Sequence, residues 1–338
     1  MSRTNMTGKK TNFWVPISQK DGEMGSLSRG EHQQTIKTEP PKGTSLWKDG
    51  ARRLRRRKLA MVCLGVIAIY FLLAGFIYLV EFFDWRIGPT LWAEQAGQSY
   101  APPSSENIFG TDIFGQSVLR KTLYGTKISI TVALCASLIS IAIGVPLGAF
   151  AGYFRGFVDE IIVWIYSTLS SIPYILLILA FAVVLRDRTL FGYRLTGITA
   201  VYLAIGLTSW VGICRLIRSE VIKHKDREYV LAAISYGCKR RRIIFRHLLP
   251  NVFHLVIIDF SLRFVAFIHA EVILSFLGLG EAERPSWGAM INDARIELSR
   301  GVWWQMAAAT AAIFFLSLAL NIFGDALRDS LDPKLRIQ

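Results

Sequence analysis

The 338-residue sequence has no phosphate-cradling loop. Such a loop needs the pattern G-x-x-x-x-G-K-[ST], whose glycines let backbone N–H groups close on phosphates. The sole Gly-Lys pair, Gly8-Lys9, has no glycine five residues earlier. This chain is therefore not expected to bind or hydrolyse ATP. Cysteine is scarce: Cys63, Cys135, Cys214 and Cys238 show no CxxC spacing, and three fall in apolar stretches. They read as small apolar fillers rather than disulfides or metal ligands. His32, His224, His247 and His254 form no metal-spaced cluster, and there is no H-E-x-x-H helix. Acidic side chains inside apolar stretches are confined to one stretch, so no two carboxylates face each other from different ones. No catalytic residue, cofactor or metal site is expected, and the chain reads as a non-enzyme. Residues 1–45 are poor in large aliphatics. They cannot bury a core and are predicted to be disordered.

What is abundant is apolar residues, 52% of the chain, alongside 39 Lys+Arg against 25 Asp+Glu. High hydrophobicity with a formal charge of +14 fits either a nucleic-acid binder or a membrane protein. The arrangement decides it, because the apolar residues come in long blocks and a spanning helix needs about 20 of them. Six blocks qualify: Leu59–Val80, Ile128–Phe150, Ile161–Leu185, Gly197–Cys214, Val252–Leu277 and Val302–Phe323. The fold class is thus an all-α integral membrane protein with six transmembrane helices. The first block is too long for a signal-peptide core and is predicted to stay as an anchor.

Directly before it, Arg52–Lys58 reads RRLRRRK. Such a cluster halts translocation and meets anionic headgroups of the lipid bilayer. It abuts lipid, so no nucleic-acid partner is expected. With the N-terminus in the cytoplasm, the cytoplasmic pieces carry 28 of the Lys and Arg and the outer pieces carry 10. Positive charge stays inside, so both termini are predicted to be cytoplasmic. The expected organisation is a cytoplasmic tail (1–58), a first helix (59–80), an extracytoplasmic segment (81–127), a five-helix core (128–325) with a loop at 226–251, and a cytoplasmic tail (326–338).

Within the core, the second span is rich in small residues. Gly144 and Gly148 make a small-xxx-small pair suited to close helix contact, and Pro146 is expected to bend the helix. Pro173 should kink the third span, a static kink being favoured over a hinge. Before the second span, Thr111-Asp112 is placed to cap a helix carrying Val118, Leu119 and Leu123, expected to lie flat on the outer surface. The fourth span is expected to run on past Cys214 as a helix. The fifth span carries Asp259, Arg263, His269 and Glu271. Ionisable residues in a span are costly and point to function. Asp259, Arg263 and Glu271 fall on one stripe, and Asp259 can pair with Arg263 one turn on. Two readings stand: a polar lining of a path that meets a zwitterionic solute, or a structural ion pair. His269 reads as a hydrogen-bonded packing residue.

Between the fourth and fifth spans, Asp226–Asn251 reads DREYVLAAISYGCKRRRIIFRHLLPN. Glu228–Tyr236 has good helix formers, Gly237 permits the left-handed turn that ends a helix, and Lys239–Leu249 reads as a second helix. A new helix is expected to start at Pro250. This stretch resembles the loop of permease subunits of ATP-binding-cassette importers, whose pattern is E-A-A, three residues, G, nine residues, I-x-L-P. Ala232, Ala233, Gly237, Leu249 and Pro250 match it. Leu231 replaces the Glu, His247 replaces the Ile, and Glu228 is placed to offer a carboxylate on nearly the same face.

Further stretches resemble the dipeptide/oligopeptide branch of that family. They are Phe109–Ser129, with eleven matching positions, Gly152–Asp159, Ser171-Ile172-Pro173, Leu274–Gly280, Pro285–Met290 and Gly324–Arg336. The resemblance covers about residues 105–336 and does not reach the first span. It implies the type I importer permease fold and the C-type permease of a pair, in the inner membrane. It also implies half of a translocation path for peptides or peptide-like solutes. The implied partners are a second, related permease subunit forming a heterodimer, two ATP-binding-cassette ATPase subunits and an extracytoplasmic solute-binding protein. Coupling to the ATPase would fall to Glu228, Leu231, Ala232, Ala233, Gly237 and Pro250. The alternatives are a nickel-chelate permease of the same family, or a secondary transporter or channel.

Overall fold

A computed structural model describes residues 46–331 apart from 86, 191, 196 and 282. The tail 1–45, expected to be disordered, lies outside the described residues, as does 332–338. A short basic helix, α1 (Leu46–Arg56), precedes α2 (Lys58–Phe82). Then follow α3 (Val118–Phe154), α4 (Gly156–Ser170) and α5 (Tyr174–Leu185). A two-residue antiparallel hairpin, β1 (Thr189–Leu190) and β2 (Tyr193–Arg194), leads to α6 (Gly197–Lys225). The second half holds α7 (Glu228–Ser235), α8 (Arg240–Arg242), a π-helical stretch at Ile243–Leu248, α9 (Leu249–Phe276), α10 (Trp287–Leu298) and α11 (Trp304–Leu331). Five helical runs are long and apolar enough to cross a membrane, and α4 with α5 together reach the same length and apolarity, bent by 93° between them.

The bundle is organised on α3 against α6. Gly144, Gly148 and Gly152 repeat every fourth residue and therefore share one face of α3. A Cβ at these positions would lie 2.6 Å from the Trp210 carbonyl oxygen, 2.5 Å from that of Cys214 and 2.8 Å from that of Arg218. The expected glycine pair is thus part of a three-residue stripe on which α6 lies backbone to backbone. The main core gathers Val132, Ala133 and Ile205 with Phe264, Phe267 and Ile268 of α9. By contrast α2 is apolar on all sides and exposes Leu59, Leu72 and Leu79, as a lipid-facing helix does. At one end of the bundle the buried indole of Trp287 donates to the Thr122 carbonyl at 2.9 Å.

Several expectations are corrected. No flat surface helix precedes the second span, because Val118–Phe154 is one helix of 37 residues. Nothing breaks it: Gly125 is packed under Trp287, where a Cβ would meet Cδ1 at 2.8 Å, and the helix runs through Pro146. Thr111 and Asp112 do not cap it. Thr111 donates to the Gln98 carbonyl at 2.6 Å, and Asp112 accepts from the Phe114 and Gln116 N–H groups at 2.9 and 2.8 Å. They fold the preceding loop, and Lys121 neutralises Asp112.

The third span is broken rather than kinked, its halves meeting at 93°. Pro173 has no N–H to continue α4 and instead caps α5. Beyond Cys214, α6 continues to Lys225 as expected. Pro250 lies in the first turn of α9, as expected, although helical turns run on from Arg240 to Phe276 without a gap. The wider π turns at Ile243–Leu248 accommodate the proline ring and its missing N–H. Finally, α11 passes Phe323 and ends at Leu331, so the tail expected from 326 begins inside a helix.

Candidate coupling and translocation sites

The segment after α6 is a small folded unit. Val230 and Ala233 point inward against Ile217, Val221, Ile243, Ile244, Leu248 and Val252. The end of α7 is a complete two-bond cap: Gly237 N–H donates to the Ile234 carbonyl at 2.9 Å and Cys238 N–H to that of Ala233 at 3.1 Å. Gly237 has φ +72°, the left-handed conformation expected of it. His224 Nδ1 and the Tyr229 hydroxyl, 2.9 Å apart, tie α7 to the end of α6.

Packed this way, α7 turns an apolar face outward. Leu231 is 51% exposed, Ile234 45% and Tyr236 88%, with Glu228 and Ala232 also exposed. Of the residues singled out in sequence, Glu228, Leu231 and Ala232 lie on this face, whereas Ala233 belongs to the unit's interior. Gly237 forms the turn, and Pro250 is exposed at the first turn of α9. Ile234 and Tyr236 were missed. Ile234 lies i+4 from the buried Val230, so its spacing alone did not mark it as exposed.

The α6 helix that leads into this unit is tied to its neighbours. Lys225 Nζ donates to the Tyr153 carbonyl at the end of α3, at 2.8 Å. Arg218 of α6 donates through Nε and Nη2 to both oxygens of Asp159 in the first turn of α4, each at 2.6 Å. The helix on which α7 packs, α6, is thus tied to both α3 and α4.

The charged residues of the fifth span divide in two. Arg263 Nε donates to Asp259 Oδ2 at 2.6 Å, the expected i, i+4 pair. Glu271 is elsewhere, 1% exposed, accepting from Ser129 and Ser275 hydroxyls at 2.7 Å each. It joins α9 to α3. His269 Nε2 is 3.2 Å from the Ser317 hydroxyl, linking α9 to α11. Arg263 lines a cleft of about 440 Å³ at the α4–α5 break, together with Ser170, Ser171, Tyr174, Ser209 and Gly212. These cleft residues were not legible in sequence, because the break that creates the cleft reads only as a proline in a span. Among the described residues no group of His, Cys, Asp and Glu is arranged to hold a metal ion.

Known proteins share this sequence. The family model for the binding-protein-dependent transport system inner membrane component matches residues 144–337. The model for the N-terminal TM domain of oligopeptide transport permease C matches residues 45–103, reaching the first span. A dipeptide transport system permease protein of Bacillus subtilis is 37% identical over 298 residues, 86% of this chain and 87% of the relative. An oligopeptide transport system permease protein of the same species is 34% identical over 296 residues, 87% of this chain and 92% of the relative. One from Haemophilus influenzae is 35% identical over 329 residues, 95% and 98% of the two chains. The chain belongs to the family of binding-protein-dependent transport system inner membrane components. It is a multi-pass inner-membrane permease subunit of an ABC importer, with the all-α fold expected of it.

Proposed function

We propose that this permease forms half of the translocation path for peptides or peptide-like solutes and is driven by separate ATPase subunits. The substrate class is carried by the relatives, named for dipeptide and oligopeptide transport. In this reading the chain hydrolyses nothing itself. It pairs with a second, related permease, docks two ATP-binding-cassette ATPases and receives solute from an extracytoplasmic binding protein. Both termini and the segment 226–251 lie in the cytoplasm.

The observation that carries the reading is α7. A helix of eight residues rarely holds together alone, yet this one is fixed by a buried inner face, a two-bond cap and the His224–Tyr229 contact to the end of α6. It spends that rigidity on presenting Leu231, Ile234 and Tyr236 outward. Exposed apolar groups rimmed by Arg227, Lys239 and Arg240 are what a docking knob requires. Arg263 and Asp259 then line the path, and Glu271 holds α9 to α3 beside it.

Reconstitution of the complex in proteoliposomes tests the function: peptide uptake should require both ATP and the ATPase subunits. Uptake that persists without them would identify a secondary transporter or channel. A Lys239→Cys variant in a cysteine-free background tests the orientation, and labelling by an impermeant reagent added outside intact cells would reverse it.

A further inference from the structure

The cleft at the α4–α5 break combines two features that lipid does not tolerate. Non-helical backbone within a span survives only where protein or a water-filled cavity covers it, and Ser171–Pro173 is such a stretch. A guanidinium likewise does not face hydrocarbon, and the Arg263 side chain is 32% exposed here. Both features open into the same space, which therefore faces water.

The chemistry of that space is specific. Arg263 gives only Nε to Asp259. Nη1 and Nη2 have no acceptor among the described residues, and they lie against α6 at Gly212. A Cβ there would overlap Nη2 and lie 2.9 Å from Nη1, so the guanidinium occupies room that only glycine leaves. The Tyr174 and Ser209 hydroxyls meet at 2.9 Å on the same wall. A second guanidinium, Arg215, stacks 4.7 Å from the centre of the Tyr166 ring and donates to Ser170 at 2.7 Å. Arg263 is thus the cation that lines the cleft, with Arg215 bonded to the lining residue Ser170. Guanidinium groups with free, coplanar N–H donors match a carboxylate. The volume, about 440 Å³, lies within the range of small-ligand clefts.

We propose that this cleft receives the carboxylate of a passing peptide, held by the free edge of the Arg263 guanidinium, with Gly212 positioning that guanidinium. The site rests on the peptide-import reading and adds to it a preference for a free C-terminal carboxylate made inside the path, separate from the binding protein's own selection.

The test uses the assembled importer in proteoliposomes with an equimolar library of tripeptides, each as free acid and as C-terminal amide, read by mass spectrometry. The acid-to-amide ratio is measured both for material bound to the isolated binding protein and for material taken up. Uptake by the unaltered importer should exceed the binding-protein ratio. The Asp259→Asn/Arg263→Gln double variant, which leaves no unpaired charge, should lower that excess by about tenfold, the scale of one hydrogen bond to a charged group. Arg263→Lys should keep part of it. Gly212→Ala, which displaces the guanidinium without removing it, should also lower it. An excess unchanged in the double variant, an unaltered importer with no excess, or a double variant that loses acid and amide alike overturns the site while leaving peptide import intact. Absence of ATP-driven uptake of every tripeptide by the unaltered importer would instead overturn the import reading itself.

Discussion

Arg218 grips Asp159 through both carboxylate oxygens, each at 2.6 Å, joining the far end of α6 to the first turn of α4. The geometry is the paired, parallel form that guanidinium and carboxylate favour, and both side chains are largely buried, 27% and 17% exposed. Asp159→Ala and Arg218→Ala should each lower the thermal stability of the purified complex. A double-mutant cycle should return a coupling of about 1–3 kcal/mol. Additive single effects would show that the contact carries no energy of its own.

The glycine stripe of α3 makes an opposite pair of predictions. Gly148→Ala places a Cβ 2.5 Å from a backbone carbonyl of α6, which no side-chain rotation relieves. It should cost about 1–3 kcal/mol and reduce the yield of folded permease. Gly75→Ala in α2 meets nothing within 4 Å and should stabilise by about 0.5–1 kcal/mol, the helix preference of Ala over Gly. Thermal unfolding of both variants in detergent decides; equal effects would mean that α3 and α6 are not in backbone contact.

Glu297 of α10 gives a pH dependence. It is 4% exposed, and its Oε2 has no hydrogen-bond partner among the described residues. Burial first, then the neighbouring Asp112 and Asp293, push its carboxyl up, against the backbone hydrogen bond of Ile113 and the charge of Lys121. A carboxyl raised in the folded state binds its proton more tightly there than when unfolded. Its stabilising contribution is complete below the unfolded value, about 4.3, and is lost as pH rises through the folded one. Glu297→Gln should therefore raise thermal stability at pH 8, with a gain that fades towards pH 4. A gain independent of pH would contradict the assignment.

The legible parts of the fold were those written locally. The apolar blocks, the Gly144–Gly148 pair, the left-handed Gly237 and the Asp259–Arg263 pair depend on spacings of a few residues, and the structure bears them out. What could not be read depends on distant partners. Glu271 falls on the Asp259–Arg263 stripe in sequence, but its environment is set by Ser129, 142 residues away. Ala233 matches a family pattern, yet its inward direction follows from Ile243 and Ile244 in the π-helical stretch beyond the turn. Pro173 foretells a disturbance in the third span, while the 93° turn depends on the packing of α4 and α5 against different parts of α6. The apolar knob of α7 was missed at Tyr236 because an exposed tyrosine next to a helix-ending glycine has no periodic signal.

The central claim is that α7 docks the ATPase through its exposed face, and copurification of the ATPase subunits with α7 variants tests it most directly. Ile234→Asp and Tyr236→Asp alter side chains that are 45% and 88% exposed and leave Val230, Ala233 and Gly237 untouched. The permease should therefore insert and fold as before. Gly237→Val adds a side chain at φ +72°, where the left-handed conformation costs roughly 1–2 kcal/mol, and should misplace the same face. The account predicts normal permease yield with at least a tenfold loss of bound ATPase, and loss of uptake, in all three. Full recovery of ATPase with the Ile234→Asp and Tyr236→Asp variants, together with normal uptake, would contradict it and reduce the segment 226–251 to a linker.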